Sequence, residues 1–250
     1  MILVAHQPEY LPYLGFFAKV SLCDLFLVSD HLQYAAKDFQ NRNYLRNHNG
    51  KTLITVPVLH AGKWDQPIQE VRIDNSCSWA KKHWMTLYHN YHRAPYFQLY
   101  ASTLEHIYSQ KWERLCDLNI TLLRHLLNWL SINAQVELTS NFDLKERQTQ
   151  LLIEMCQKVG ADTFISGRGA RDYVYPSLFD DAGIKHYFFD FVHPEYPQHR
   201  QTFVPNLSVL DLLFNVGPGA KDVIDEAVKM SSLSEVVRPA VAIAKAKASN

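Results

Sequence analysis

Two spacing regimes divide the chain. The opening Met-Ile-Leu-Val-Ala is a continuous apolar run of strand length. Pro8 and Pro12 punctuate a loop, and the apolar spacing over 13–22 predicts a short buried helix stopped by Asp24. A second strand is expected over 25–29, Leu-Phe-Leu-Val-Ser. Strand, loop, helix, strand in about thirty residues is how an α/β fold begins. Residues 30–50 suit a core poorly and read as loop or irregular helix. Runs at 52–59 and 68–73 predict a hairpin.

Between 79 and 131 the period becomes helical. His83, Leu87 and Tyr91 share one face, and a stripe from Leu104 to Trp129 predicts one long helix or two broken ones. Ser102 with Glu105 has the spacing of a capping box, and Asp143 with Glu146 opens a further helix carrying Leu151, Leu152, Met155 and Val159 inward. Gly160 closes that helix. A strand at 163–165, a glycine-rich turn at 166–169 and a helix near 170–175 follow. A short helix at 179–182 ends at Gly183, a strand covers 187–191, and 193–203 is loop. Ser208 caps a helix over 209–214 with Asp211 in the reciprocal position; Gly217-Pro218-Gly219 breaks it before a last helix to about 229. The expectation is one α/β domain, 1–228, with a Rossmann-like layered core. A helical insertion lobe occupies about 78–150, and 229–250 form a C-terminal tail.

Composition narrows the class. Of 250 residues 47% are hydrophobic and 20% charged, a soluble globular balance. Lys plus Arg and Asp plus Glu both number 25, so the net charge is zero. That argues against a nucleic-acid partner, whose backbone selects basic surfaces. The start lacks a basic segment before its apolar run, and no apolar run reaches membrane-spanning length. These features predict a cytoplasmic protein with no membrane span, whose Cys23, Cys77, Cys116 and Cys156 stay reduced.

Candidate chemistry gathers after four expected strands: His6-Gln7, Asp30 to Gln33, Ser166-Gly167 and His193. Ligands of open α/β sheets bind beyond the carboxyl ends of strands. His6 is read as a general base, a phosphate partner or a loop-fixing group. Gln7 and Tyr10 could hold a sugar or base. Asp30 binds a ribose, metal or amine, or caps the next turn. Gln33, Asn41 and Arg42 join the same cleft, with Arg42 as a phosphate or carboxylate clamp or a solvated surface residue. His83 points at the cleft if the lobe covers the core and is otherwise a buried, partnered imidazole. Ser166, Gly167 and Arg171 form an anion cradle at a helix start. His193 is a further acid–base candidate beside Tyr196 and Gln198, and Asn206 could reach the pocket. The catalytic set is thus His6, His83 and His193. No Walker, Gly-x-Ser-x-Gly or His-Glu-x-x-His pattern is present, so no protein-bound metal is expected.

Five segments carry a resemblance. They are His6-Gln7-Pro8-Glu9-Tyr10-Leu11-Pro12-Tyr13-Leu14-Gly15, Gln40-Asn41-Arg42-Asn43, Ile165-Ser166-Gly167, His193-Pro194-Glu195-Tyr196-Pro197-Gln198, and Pro205-Asn206-Leu207-Ser208-Val209-Leu210-Asp211-Leu212-Leu213-Phe214-Asn215. In this order they resemble the WbqC-like family, from residue 1 to about 220. The resemblance implies bacterial surface-polysaccharide biosynthesis and a transferase acting on an activated sugar or amino sugar. The expected function is group transfer, glycyl/acyl-type or nucleotide-sugar-dependent, on a sugar- or nucleotide-linked substrate. The alternative is a noncatalytic small-molecule-binding or scaffold protein. The expected partner is a small anionic or sugar-linked molecule; the cofactor is left open, with a nucleotide or nucleotide-sugar as the candidate, and so is a homodimer.

Overall fold

A computed structural model describes residues 1–63, 65–200 and 202–234. Its chain order opens with β1 (Ile2–His6), α1 (Leu14–Val20) and β2 (Leu25–Val28). A hairpin of β3 (Arg42–Asn47) and β4 (Gly50–Thr55) follows. Then come α2 (Trp79–Tyr91), α3 (Phe97–Ser109) and α4 (Leu115–Trp129). The chain continues through β5 (Gln135–Leu138), α5 (Gln148–Val159), β6 (Thr163–Gly167), α6 (Pro176–Asp181) and β7 (Lys185–Asp190). It closes with α7 (Val209–Val216), α8 (Ala220–Met230) and β8 (Ser232–Ser234).

The central sheet has the order β5-β2-β1-β6-β7-β8. Its first five strands are parallel and β8 is antiparallel to β7. Successive strand residues bury opposite faces. Val4, Phe26, Val28, Ile165 and Phe189 pack with α1–α4, α7 and α8. Leu3, Leu25, Leu27, Phe164 and Phe188 pack with α5 and α6. Both faces are therefore covered, as a parallel sheet requires, which explains why its strands read as unbroken apolar runs. The chain first builds outward from β1 to β2 and β5, then returns to add β6 on the other side of β1. The strand order reverses between β1 and β6.

Several local expectations fail for identifiable reasons. Residues 42–47 form a strand rather than a loop. Its buried positions include Asn43 and Arg46, polar side chains that conceal the alternation. The β4 strand pairs with β3, not with 68–73. Residues 68–70 are a 3-10 turn, and a single bridge joins Val58 to Ile73. Ser102 and Glu105 lie inside α3, so they cap nothing. The fifth helix begins at Gln148, not at Asp143, because the Glu154 carboxylate accepts the Lys145 and Glu146 amides ahead of it. Residues 168–172 are a 3-10 turn instead of a longer helix. The helical insertion ends at Trp129, since Gln135–Leu138 joins the sheet beside β2. Most of the expected tail, 235–250, lies outside the described residues. Cys23, Cys116 and Cys156 are buried free thiols and Cys77 is an exposed one. Among the described residues no helix is long and apolar enough to cross a membrane.

Candidate functional site

Where strand order reverses, the loops leaving the two neighbouring strands part and leave a crevice. Here that crevice is a cavity of about 320 Å³ lined by His6 from the end of β1, Glu9, Tyr13, Lys19 from α1, Gly167–Gly169 after β6, Phe189, Phe191 and Asn206. Glu9, Tyr13 and Asn206 also line a second chamber of about 410 Å³, walled by Phe39, Tyr44, Asn43 and Lys51.

Lys19 is the least expected occupant. Every residue of α1 is buried, and Lys19 itself is only 5% exposed. Among the described residues no carboxylate lies within ion-pairing distance of its ammonium. A Cβ built on Gly167 would stand 3.5 Å from Nζ, an ordinary contact, which puts the ammonium beside the β6 end. Burial pulls the Lys19 pKa down to about 8, and Glu9 partly opposes this. Burial pushes Glu9 up to about 7, with Lys19 opposing and Asp38 reinforcing the rise. His6 is driven down to about 3 by burial and by the Lys19 charge. The His6 ring is tied by its Nδ1–H, which donates to the Gln7 carbonyl at 3.0 Å. That bond sets the tautomer and leaves the Nε2 lone pair 3.8 Å from Glu9 Oε1. Phe16 meets the same ring edge to face. The result is a neutral imidazole, a carboxyl near its midpoint at neutral pH and an incompletely neutralised ammonium, side by side in a partly apolar cavity.

Asn206 completes the rim with a left-handed backbone, φ 59°. Its N–H donates to His193 Nε2 at 3.2 Å, while His193 Nδ1–H donates to the Pro194 carbonyl at 2.8 Å. Both nitrogens of His193 are thus engaged, and the ring fixes the Asn206 turn.

The structure brings His6, Gly167 and Asn206 of the anticipated residues to the cleft and puts the others elsewhere. Tyr10 is buried, with its hydroxyl 2.8 Å from His83 Nδ1 and 2.5 Å from the Tyr108 hydroxyl. His83 therefore lies in a core network, not at the cleft, and burial lowers its pKa to about 4. Gln7 accepts from Gln40 Nε2 at 2.6 Å. Asp30 ties β2 to the segment after β5, accepting from Thr139 Oγ1, Ser140 N and Ser140 Oγ. Asn41 donates to the Val56 carbonyl. Gln33 is exposed beside Pro67, and Arg42 sits on β3; neither lines the two chambers. Ser166 Oγ faces His186 Nε2 at 2.8 Å inside the opposite core. Arg171 grips Asp190 and Ser234 and lies over the Phe188 ring, so it serves the sheet edge rather than an anion cradle.

Tyr196 and Gln198 donate to the Asp211 carboxylate at 3.1 and 2.8 Å, and Tyr91 adds a third donor at 3.0 Å. Asp211 is thus the buried centre of a knot and not a helix cap. Ser208 alone has the expected capping role, accepting from the Leu210 N–H. Among the described residues no group of three or more His, Cys, Asp or Glu is gathered as metal ligands. The signal for Lys19 was a single charge in an otherwise apolar helix, and that for Glu9 was an acid inside the His6–Gly15 motif.

The cleft draws on both ends of a long match to known proteins. The model of the WbqC-like protein family matches residues 7–223. The chain belongs to the WbqC-like family. It is 36% identical over 218 residues to Rv1507c, an uncharacterized protein of Mycobacterium tuberculosis, covering 86% of this chain and 94% of that protein. The WbqC-like match takes in Glu9, Lys19, Gly167 and Asn206.

Proposed function

We propose that this WbqC-like protein is a cytoplasmic group transferase acting on a small anionic, sugar- or nucleotide-linked substrate, in bacterial surface-polysaccharide biosynthesis. The observation that carries the reading is the buried Lys19 beside Glu9, opening into the crevice where strand order reverses. That reversal, with helices on both faces, supports a Rossmann-like description of the core.

Burying an ammonium without a close counter-ion costs stability, and catalytic sites accept such costs. In this reading Lys19 attracts the donor's phosphate or carboxylate and stabilises negative charge developing on its oxygen. Glu9, shifted to about 7, is matched to proton transfer at neutral pH. Its carboxylate takes the proton of the acceptor hydroxyl or amine as the new bond to the transferred group forms. The donor bond breaks, and the leaving oxygen takes a proton from Glu9 or from water. His6, with its pKa near 3, is too weak a base for that proton; its Nε2 lone pair orients Glu9 or the acceptor instead.

Calorimetry against nucleotide sugars, nucleotides and acyl donors provides the test. Binding of one such anion should weaken roughly tenfold or more in Lys19→Met, the loss of one charge-assisted contact. With that substrate, Glu9→Gln should lower turnover by about 10²- to 10⁴-fold while binding changes little. Binding and turnover indifferent to both changes would refute this site. Lys19-dependent binding without turnover would establish the noncatalytic reading.

A further inference from the structure

A second collection of hydrogen-bond donors lies at the C-terminal end of α2, on residues that do not line the cleft. A cavity of about 440 Å³ is lined there by His89, Asn90, His92, Arg93, His199 and Arg200. No carboxylate lines it, although acids and bases balance over the whole chain. The end of a helix normally repels anions, because its last carbonyls point outward. Imidazoles cover two of those carbonyls here. His92 Nδ1–H donates to Tyr88 O and His199 Nε2–H to Asn90 O, both at 3.0 Å.

His199 carries the argument further. Its Nδ1 lies 2.9 Å from Asn215 Oδ1. That oxygen also accepts the His199 backbone N–H, while Asn215 Nδ2 donates to the Asp211 carbonyl, so the orientation of the amide is fixed. Both ring nitrogens therefore face oxygen atoms, and the ring is held between α2 and α7 at the cavity edge. Next to it, Arg200 Nε is buried without a hydrogen-bond partner. A buried donor left unpaired costs free energy, so the fold leaves this guanidinium short of an acceptor.

We propose that this cavity is an anion site for a phosphate group, gripped by Arg200 and Arg93 beside the anchored His199 ring. A guanidinium fork matches phosphate and carboxylate alike. The number of donors around the cavity favours the three or four oxygens of phosphate over the two of a carboxylate. The site is independent of the cleft chemistry, since none of its residues lines either cleft chamber.

Calorimetric titration of the full chain with pyrophosphate tests this, using Lys19→Met protein to suppress binding in the cleft. That protein should still bind pyrophosphate at one site. Adding Arg200→Met should weaken the site roughly tenfold to a hundredfold. Arg93→Met, a change at an exposed position, should weaken it several-fold without touching the fold, which guards against misreading a destabilised Arg200 variant. Separate titrations with inorganic phosphate and glucose 1-phosphate then say whether a free ion or a phosphomonoester is the better occupant; tighter binding of either supports the site. Lys19→Met protein that binds no phosphate-bearing probe, or that binds pyrophosphate equally with and without both arginines, overturns the proposal.

Discussion

Glu9 and Asp211 are both carboxylates enclosed by protein, and their surroundings could hardly differ more. Asp211 accepts three hydrogen bonds, from Tyr91, Tyr196 and Gln198. Among the described residues Glu9 has the His6 ring at 3.8 Å, with the Lys19 and Asp38 charges beyond it. Burial raises the pKa of both. For Asp211 the donors oppose that rise and fasten α7 to α2 and to the loop after β7. For Glu9 little opposes it, and its hydrogen-bonding capacity stays free for something that enters the cleft. A buried polar group whose partners are all protein is mortar; one whose partners are missing is an open valence.

The contrast predicts opposite signs on mutation. Asp211→Ala leaves three donors unpaired and should cost about 3–5 kcal/mol in chemical denaturation. Lys19→Met should instead stabilise the protein by about 1–3 kcal/mol at pH 7, because it removes a poorly compensated buried charge. A Lys19→Met protein less stable than wild type would place the ammonium among the mortar.

Titration sharpens the same comparison. Glu9 holds its proton more tightly folded than unfolded, so its contribution is full below about pH 4.5 and is lost as pH rises through about 7. Lys19 has the opposite sense relative to its unfolded value: folded, it releases its proton earlier, so stability rises with pH between about 8 and 10.5. Each slope spans up to about 3 kcal/mol. Denaturation across pH should show the first slope vanish in Glu9→Gln and the second in Lys19→Met.

Smaller effects follow in the core networks. Tyr10→Phe removes the hydroxyl between His83 and Tyr108 and should cost about 1–3 kcal/mol. Retained turnover in that variant would keep Tyr10 outside the chemistry. Asn206→Gly should change stability by no more than about 0.5 kcal/mol, since glycine adopts the left-handed turn without strain. Ligand binding should nevertheless weaken, which calorimetry can separate from the thermal midpoint.

Much of the architecture was legible because the parallel strands are buried on both faces and stand out as apolar runs; 2–6, 25–28, 163–167 and 185–190 all lie within or beside the anticipated segments. The β3 strand escaped because its inward positions carry Asn43 and Arg46. The edge strand β5, Gln-Val-Glu-Leu, alternates polar and apolar residues and shows no apolar run, and β8 has only three residues. At the site, proximity to strand ends drew attention to His6 and Gly167, which line the crevice, while Asn206 lines it from the loop before α7. It could not tell which polar residues find partners within the fold. Tyr10, Asp30, Tyr196 and Gln198 are consumed by residues up to 110 positions away, a pairing no local spacing reveals. Lys19 was hidden by the opposite error, in which a helix read as wholly apolar obscured its single charge.

The reversal of strand order also has a temporal meaning. His6, Glu9 and Lys19 leave the ribosome well before the glycine at 167 that lies beside the ammonium and the asparagine at 206 that closes the rim. During synthesis the reactive groups wait on an unfinished surface while the helices and strands between them and β6 are made. A nascent chain stalled before β6 presents Lys19 without the crevice wall that the turn after β6 supplies. The crevice is therefore among the last features to mature, and a prematurely terminated chain carries the site's chemical groups without the site.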